Sequence, residues 1–184
     1  MTEVSDYSKR FKRAEWRSIP DFLFTCDVTK RFEILSTDDQ GILTFDVVTS
    51  WEFMEHIRKE DIGNVIENAS RHLKRGGIWI MSIANFSHIV NGVDLHQTRE
   101  PKSWWLSQFE KCGLFNSAEI LKYFNGQFVR GRYETETSFH LVLTNDLSRC
   151  PKPPKLRQLD RIVDKWINSF PQRALSYLVT GKLD

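Results

Sequence analysis

Side chains that can bind ligands or exchange protons are concentrated in one stretch of the chain, residues 85–100. Its polar and turn-forming residues are Asn85, His88, Asn91, Gly92, Asp94, His96, Gln97 and Thr98. Histidine is the side chain whose ordinary pKa lies nearest to neutrality, so this stretch points to proton transfer or to binding of a polar ligand. Structureless loops of this length in compact domains are often functional, because the scaffold does not need them. We therefore expect a functional loop without regular structure here.

A strand, a helix and a second strand precede this loop and must position it. Residues 44–50 and 78–84 are mostly apolar and rich in β-formers without strict alternation, which is typical of strands covered on both faces. Between them an apolar stripe recurs at three- and four-residue steps and predicts a crossover helix that ends at Gly76–Gly77. The stripe consists of Ile62, Val65, Ile66, Ala69 and Leu73. Ligands gather beyond the carboxyl ends of such parallel strands, where residues 50–52 and Asn85 are expected.

Composition limits the class of protein. The chain of 184 residues is long enough for one domain with a sizeable core, and 26 basic against 24 acidic residues provide no overall attraction to nucleic acid or anionic membrane. The three cysteines, Cys26, Cys112 and Cys150, are too few and too far apart for a disulfide framework or a CxxC metal site, so we predict no metal and a reducing compartment. Without an apolar run of ~18 residues or the apolar core of a signal peptide, a cytoplasmic protein is expected.

The N-terminal third predicts a helix and a short strand. Ser5 or Asp6 can cap a helix that runs to about Trp16, with a basic outer face. After Pro20, residues 21–26 are typical of a strand. This strand places Asp27 at its carboxyl end, level with the ends of the two strands described above.

The C-terminal half predicts a helix and an edge hairpin, followed by a separate tail. Pro101 suits the first turn of a helix through Lys111, with Trp104, Trp105, Leu106 and Phe109 as its apolar surface. Residues 115–123 and 137–144 are interpreted as an antiparallel strand pair, because Asn125–Gly126 and Gly131 between them favour turns. Prolines at 151–154 indicate a linker, so we predict one domain over 1–150 and a proline-rich linker with a helical tail over 151–184.

Two segments resemble one known family. Residues 45–57, FDVVTSWEFMEHI, resemble the fourth strand and the following Glu-His turn of class I S-adenosylmethionine-dependent methyltransferases. Residues 73–78, LKRGGI, resemble the segment before that family's fifth strand. The resemblance covers about Glu3 to Thr144. It implies an α/β, Rossmann-like, mostly parallel sheet with helices on both faces and an antiparallel edge hairpin.

The resemblance also implies S-adenosylmethionine as cofactor and assigns residues to it. Asp27 takes the place of the acidic residue that accepts a hydrogen bond from the adenine amino group, and Val28 lies beside the ring. Ser50, Trp51 and Glu52 lie at the methionine end of the cofactor. Glu3 takes the place of the acidic residue that binds the ribose hydroxyls.

Methyl transfer is an in-line displacement at a sulfonium, so the protein must align the acceptor and remove its proton where it carries one. Under the resemblance His96 is the best candidate base, with His88 and His56 behind it, and Glu55 is a further catalytic candidate. The candidate substrate-binding residues are Asn85, His88, Asp94, Trp104 and Trp105. Structural roles also fit the predicted site residues. Asp27 can cap a turn, and Glu55 and His56 can form a solvated helix start. His96 can be a hydrogen-bonded structural histidine, and Trp104 and Trp105 can occupy core positions.

The chain departs from the family at its start. The family's first strand and its GxGxG loop should precede Glu3, so the predicted sheet is N-terminally incomplete and strand 44–50 has an exposed edge. Three hypotheses follow. The chain is a fragment of a longer enzyme, strand 21–26 pairs directly with strand 44–50, or another chain covers the edge.

Three functions are compatible with these observations. The first is transfer of a methyl group from S-adenosylmethionine to a small-molecule or sugar-like acceptor. The second is a non-catalytic interaction module of the same fold, whose partner is another chain and whose docking element is the tail helix, residues 156–166. The third is RNA binding or modification through the basic residues of 9–17 and 152–161.

Overall fold

The computed structural model describes residues 9–12, 14–125 and 138–155. Its strands are β1 (Phe45–Trp51), β2 (Leu73–Ala84), β3 (Ile89–Val90), β4 (Val93–Asp94), β5 (Phe115–Asn116) and β6 (Ser138–Thr144). Its α-helices are α1 (Ile62–Arg71), α2 (Lys102–Lys111) and α3 (Ala118–Asn125). Short 3-10 turns cover Ala14–Arg17, Pro20–Phe22, Met54–His56 and Lys59–Asp61. One sheet has the order β1-β2-β6-β5, and β3 and β4 form a separate hairpin.

The predicted strand, crossover helix and parallel strand are confirmed. β1 and β2 run parallel, with Val47 opposite Ile78 and Ser50 opposite Met81. α1 connects them and buries Ile62, Val65 and Ile66 as the stripe requires. The carboxyl ends of both strands therefore lie at the same rim of the sheet.

The sheet is mixed, and helices cover both of its faces. β6 pairs antiparallel with β2 and with β5, so the described sheet has one parallel and two antiparallel pairings. On one face Trp79 and Met81 of β2 pack in the same core as residues of α1 and α2. On the other face Ile78 and Ile80 pack with Ile120 of α3. The predicted α/β class with helices on both faces is confirmed.

The predicted strand over 115–123 is wrong beyond its first residues. β5 ends at Asn116, and residues 118–125 form α3, because Ala-Glu-Ile-Leu-Lys is a good helix-forming sequence and its apolar side packs on the sheet. The antiparallel pairing at the edge is present, but α3 lies between its two strands and Asn125 is in that helix. The predicted turn at Gly126 and Gly131 lies outside the described residues.

The predicted strand over 21–26 is also wrong. Residues 20–22 form a 3-10 turn and 23–27 have no regular structure, with Phe22 and Phe24 largely exposed. Within the described ranges β1 pairs only with β2, so the hypothesis that strand 21–26 pairs directly with β1 is wrong. The predicted N-terminal helix is interrupted as well: Lys12 has φ +47 before the turn at 14–17, and residues 1–8 lie outside the described part.

The glycine pair has a different position from the predicted one. α1 ends at Arg71, before the predicted end, and β2 begins at Leu73. Gly76, with φ +77, lies inside β2 where the pairing with β1 shifts. Its N–H donates to Asn145 Oδ1 at 2.8 Å, and a Cβ there would lie 2.6 Å from the Cβ of Arg149. Only glycine fits this bulge.

The loop over 85–100 contains regular structure that the sequence analysis did not predict. β3 and β4 form a hairpin whose turn residues, Asn91 and Gly92, have φ values of +51 and +78. Helix α2 agrees with its prediction, and Gly113, with φ +75, follows its end. Residues 151–155 have no regular structure, and the predicted tail helix lies outside the described residues. Every helix in the described ranges is too short or too polar to cross a bilayer.

Candidate active site

The segment after β1 turns sharply at the rim of the sheet. Glu52 has φ +45, an uncommon conformation for a residue other than glycine, and its N–H donates to the carbonyl and the hydroxyl of Ser82, both at 3.0 Å. The 3-10 turn at Met54–His56 follows directly. It brings Glu55 and His56 to the end of β2, on which the loop over 85–100 folds back.

Three histidines meet beside this turn. The ring of His96 is buried, with its centroid 4.8 Å from that of His56 and 5.4 Å from that of His88. Phe86 packs against the same ring at 5.1 Å. We call Glu55, His56, His88 and His96 the histidine cluster. The structure thus brings together all three predicted catalytic residues and one predicted substrate-binding residue.

Backbone carbonyls orient two of the imidazoles. Nδ1 of His96 lies 2.6 Å from the carbonyl oxygen of Phe86, and Nδ1 of His56 lies 2.9 Å from that of Leu95. A carbonyl oxygen accepts only, so Nδ1 carries the hydrogen in both rings and Nε2 keeps its lone pair. Both histidines can therefore accept a proton or bind a cation through Nε2.

Thr98 fixes the loop to the turn. Its N–H donates to the carbonyl of Glu55 at 3.0 Å, and its hydroxyl donates to the carbonyl of Ile57 at 2.7 Å. The Thr98 side chain is fully buried. These two bonds hold His96 opposite His56.

Asp94 organises the loop from within. Its carboxylate accepts hydrogen bonds from the hydroxyl of Ser87 at 2.7 Å and from the N–H groups of His96 and His88 at 3.0 and 3.1 Å, with Arg99 3.5 Å away. The Ser87 bond is the largest cause that lowers the pKa of Asp94 to about 2. Asp94 is thus ionised and fully engaged with its own loop.

Glu55 differs from Asp94 in having no such donors. Its side chain is 0% exposed, and among the described residues neither carboxylate oxygen has a hydrogen-bond partner. Burial raises the pKa of Glu55, while the backbone N–H groups of Glu55 and Ala84, which approach the carboxyl group without reaching hydrogen-bond geometry, and the imidazoles of His56 and His96 act in the opposite direction. A buried carboxyl group without well-aligned donors is costly, so this position calls for a proton or a cation.

A pocket of about 270 Å³ lies on the α1 side of β1. Its wall includes Val28 and Ser50, two of the predicted cofactor-binding residues, and Phe53, which precedes Glu55 by two positions. The hydroxyl of Ser50 accepts a hydrogen bond from Nε1 of Trp79 at 3.0 Å. The remaining lining residues are Phe32, Ile34, Phe45, Val48, Thr49, Val65, Asn68, Ala69, His72 and Trp79.

Side chains of α1, and of His72 directly after it, hold the outer wall of this pocket, residues 28–34. The buried amide of Asn68 donates to the carbonyls of Val28 and Lys30 at 2.9 and 2.8 Å. His72 Nε2 accepts from the N–H of Ile34 at 3.3 Å, and Arg71 donates to the carbonyl of Phe32 at 3.3 Å. The segment is therefore tied to the helix although it is not a strand.

Asp27 precedes this wall and caps a turn. Its carboxylate accepts hydrogen bonds from the hydroxyl and the N–H of Thr29 at 2.7 and 3.1 Å, and Lys30 lies 3.6 Å away. The Thr29 side chain is the main cause that lowers the pKa of Asp27. The structural role weighed for Asp27 in the sequence analysis is thus present, and Val28 reaches the pocket beside it.

Other predicted site residues lie elsewhere. Trp51 packs on the opposite face of the sheet, with its ring 6.3 Å from that of His140, so Ser50 and Trp51 do not share a pocket. Trp105 is 0% exposed and belongs to the core, which is the structural role weighed for it beside substrate contact. Trp104 is half-buried, and the ammonium of Lys59 lies 5.8 Å from its ring. Asn85 is half-buried at the end of β2, and Glu3 lies outside the described residues.

Three residues at the site were missed, namely Asn68, His72 and Ser82, and Thr98 was named only among the polar residues of the loop. A signal for two of them was available, because Asn68 and His72 are four residues apart on the otherwise apolar side of α1. Polar side chains on a buried helical face require partners, and here those partners are the backbone groups of 28–34. Ser82 and Thr98 had no signal, since their partners become neighbours only in the folded chain.

The sequence matches no protein-family profile and no curated protein. Solved structures with a similar arrangement of elements include S-adenosylmethionine-dependent methyltransferases. One, from Clostridium acetobutylicum, is 11% identical over 75% of this chain and 72% of that chain, with a TM-score of 0.48. The glycopeptide N-methyltransferase MtfA in complex with S-adenosyl-L-homocysteine is 12% identical over 77% of this chain and 68% of that chain, with a TM-score of 0.46.

A third similar structure is phosphoethanolamine N-methyltransferase 2 of Haemonchus contortus with phosphomonomethylethanolamine and S-adenosylhomocysteine. It is 14% identical over 66% of this chain and 36% of that chain, with a TM-score of 0.40. All three TM-scores are below 0.5. The α/β class stated above therefore follows from the strands and helices of this chain, and the function proposed below rests on its residues.

Proposed function

We propose that this chain is a methyltransferase domain that transfers a methyl group from S-adenosylmethionine to a small polar acceptor. The observation that carries the proposal is the arrangement at the rim of the parallel strand pair. Ser50, at the start of segment 50–56, lines the pocket together with Val28, and His56, at the end of the segment, belongs to the histidine cluster. Parallel α/β sheets bind their ligands at such a rim.

The pocket is the proposed site of the adenosine moiety. Its walls are mainly apolar, with Val28, Phe32 and Phe53 available to contact a flat ring. Asp27, next to Val28 in the chain, is an ionised acceptor for an exocyclic amino group. Glu52, exposed at the end of β1, is placed to pair with the ammonium of the methionine moiety.

The histidine cluster is the proposed site of the acceptor. In the transfer the bond between sulfur and methyl breaks, the bond between methyl and the acceptor atom forms, and sulfur becomes a neutral thioether. The proton of the acceptor passes to Nε2 of His96, which the Nδ1 bond to Phe86 leaves free. His88 is exposed beside that ring and can contact a polar acceptor, whereas fully buried Glu55 acts only from behind the histidines.

Calorimetric titration with S-adenosylhomocysteine tests the cofactor site directly. We expect binding to the whole chain and its loss in Val28→Trp, because the larger ring fills the pocket. Val93→Trp is the matched control, since Val93 is exposed in the hairpin and distant in sequence from the pocket residues. Absence of heat at high micromolar ligand, or equal binding by the two variants, would contradict the proposal for this chain.

A second candidate function, the interaction module, is favoured by one observation. The outer edge of β1 has no strand partner in the described ranges, and Phe45 and Val47 on it are 39% and 49% exposed. Such an edge is a template for pairing with another chain. Light scattering of the wild type, Val47→Lys and the control Val93→Lys separates the two cases: association weakened only by Val47→Lys supports the module.

A further inference from the structure

Glu55, His56 and His96 each place one ligand atom within 4.8 Å of the other two. We propose that these three residues bind a divalent transition-metal ion, with Zn²⁺ as the ion of choice. No metal was expected from the sequence because its cysteines lack the spacing of a metal site. The two halves of this site are instead brought together by the fold, since the bonds of the loop to the turn span 39 and 41 residues.

The donor set is suited to such an ion. Two imidazole nitrogens and one carboxylate oxygen form a combination found in catalytic zinc sites, where three protein ligands leave one coordination position open. Imidazole favours Zn²⁺ and its first-row neighbours over Mg²⁺ or Ca²⁺, which prefer oxygen alone. The site is thus expected to discriminate against the two abundant hard cations.

The surroundings of the imidazoles match those of metal ligands. A ligating histidine almost always donates its other N–H to a carboxylate, a backbone carbonyl or water, which fixes the ring and its tautomer. His56 and His96 both do so, through Nδ1 to the carbonyls of Leu95 and Phe86. Asp94 in turn holds the N–H of His96 at 3.0 Å. The outer shell of a metal site is therefore in place.

Glu55 provides the independent observation. It is 0% exposed, and neither of its oxygens has a hydrogen-bond partner among the described residues. A buried carboxylate is stabilised by pairing or by metal coordination, and among the described residues the charged groups that act on it are the imidazoles of His56 and His96. A cation between Glu55 and the two rings satisfies all three groups together.

The distances require a small closure. Ligands bound to zinc at about 2.1 Å in a tetrahedron are about 3.4 Å apart. The ligand atoms lie within 4.8 Å of one another, so each distance between them must shorten by at most about 1.4 Å. Rotation of the Glu55 carboxylate contributes to this without breaking a hydrogen bond, since it makes none with the described residues.

The proposal is independent of cofactor binding, although it bears on the proposed function. With a metal bound, Nε2 of His96 is a ligand and is no longer the base. The open position then takes the acceptor's oxygen or nitrogen, and the ion lowers the pKa of that group so that it loses its proton to solvent. Failure to bind metal leaves the base role of His96 standing, and failure to bind S-adenosylhomocysteine leaves the metal site standing.

Calorimetric titration of the metal-free whole chain with ZnCl₂, without any nucleotide, tests the site. We expect one ion per chain, and a loss of affinity of about 100-fold or more in Glu55→Gln and in His96→Asn, above the 10- to 100-fold typical of outer-shell partners. Glu60→Gln is the matched control, because Glu60 is an exposed carboxylate five positions along the same segment. Its affinity should equal that of the wild type.

Cobalt provides the second measurement. Co²⁺ bound by two imidazoles and a carboxylate gives visible d–d bands without the thiolate charge-transfer band that binding to a free cysteine would add. Circular dichroism of each variant, with and without metal, shows whether it is folded. No zinc binding by the wild type, equal affinity in folded Glu55→Gln and wild type, or a thiolate band in the cobalt spectrum would each overturn the proposal.

Discussion

The side-chain amide of Asn68 lies 2.9 Å from the carbonyl oxygen of Val28. Through this bond a residue of the crossover helix α1 holds the wall of the pocket, 40 positions earlier in the sequence. Asn68 also donates to the carbonyl of Lys30 and accepts from Arg71 at 2.9 Å. The wall at 28–34 is thus fastened by side chains rather than by a strand ladder.

We therefore expect Asn68→Ala to destabilise the protein by about 2–3 kcal/mol, because several hydrogen bonds worth about 1 kcal/mol each are lost. Asn64→Ala is the matched control: Asn64 lies on the exposed side of α1, and the same change in helix propensity applies. Urea denaturation measures both. Similar unfolding free energies for the two variants would show that the wall does not depend on Asn68.

The same substitution should weaken S-adenosylhomocysteine binding by about tenfold, since an unfastened wall must be ordered on binding at a cost of about 1–2 kcal/mol. Calorimetric titration of Asn68→Ala and Asn64→Ala provides the comparison. If Asn68→Ala binds as tightly as its control, then Val28 is not part of the cofactor site.

Gly76 and Gly113 have nearly the same φ, +77 and +75, but different surroundings. Comparing substitutions at the two positions therefore distinguishes the conformational cost of an added Cβ from its steric cost. Gly76→Ala introduces a Cβ 2.6 Å from the Cβ of Arg149, whereas at Gly113 nothing lies within 4 Å. Gly113→Ala should cost about 1 kcal/mol for its left-handed φ, and Gly76→Ala about 1–3 kcal/mol more for overpacking. Thermal or urea denaturation measures the loss of unfolding free energy in both variants. Equal losses would mean that the bulge in β2 rearranges to accommodate the added methyl group.

Asp94 should control the order of the loop over 85–100. In Asp94→Ala the N–H groups of His88 and His96 lose their common acceptor, so we expect their amide hydrogens to exchange at least about tenfold faster. Zinc affinity should fall by about 10–100-fold, as for an outer-shell partner. Asp39→Ala is the control, because Asp39 also accepts a turn N–H, that of Gly41 at 2.9 Å, but lies far from the loop in sequence.

An unchanged exchange rate at His96 in Asp94→Ala would contradict this prediction. It would mean that the bonds of Thr98 and of His96 Nδ1 are sufficient to hold the loop. Zinc affinity would then be the more sensitive measurement, since it reports on the positions of both rings.

Stability at acid pH should depend on Asp146. Its carboxylate accepts hydrogen bonds from the hydroxyl of Ser148 at 2.6 Å and from Arg75 at 2.9 Å, and the Ser148 bond is the first cause that holds the pKa of Asp146 below its ordinary value of 3.8. A lowered pKa in the folded state means that its stabilising contribution is complete above 3.8 and is lost as pH falls below that value. Asp146→Asn should therefore lose less stability than the wild type between about pH 4 and pH 2.

Urea denaturation at several acid pH values measures this slope. Asp21→Asn, at an exposed position, serves as the control and should follow the wild type. A slope for Asp146→Asn that is as steep as that of the wild type would show that Asp146 does not contribute to acid sensitivity.

The sequence predicted the centre of the fold because periodicity and burial agree there. The stripe of α1 and the apolar runs of β1 and β2 each have one stable solution, a helix between two covered strands. The Glu-His turn was located for the same reason, since it follows directly from the end of β1. His56 and His96 were each predicted as catalytic candidates. Their contact with each other was not predicted, because no local signal in the sequence places residue 96 beside residue 56.

The errors have local causes. Residues 21–26 are rich in β-formers, but a strand needs a neighbour and none is present in the described sheet. Residues 118–123 were interpreted as part of a strand, although the helix that they form buries Ile120 and Leu121 against the sheet. The hairpin at Asn91–Gly92 was missed even though Asn-Gly is a strong turn signal, because its strands have only two residues each.

The bonds that join the Thr98 segment to the Glu55 turn have a consequence for biosynthesis. They connect residues separated by 39 and 41 positions, so a ribosome releases Glu55 and His56 long before their counterparts emerge. During that interval β1 and α1 can already fold, but the carboxylate has no imidazole from the loop beside it. The cluster is therefore completed only after the hairpin segment has been translated, and any nascent fragment that stops short of residue 96 lacks the buried imidazole that the other members surround.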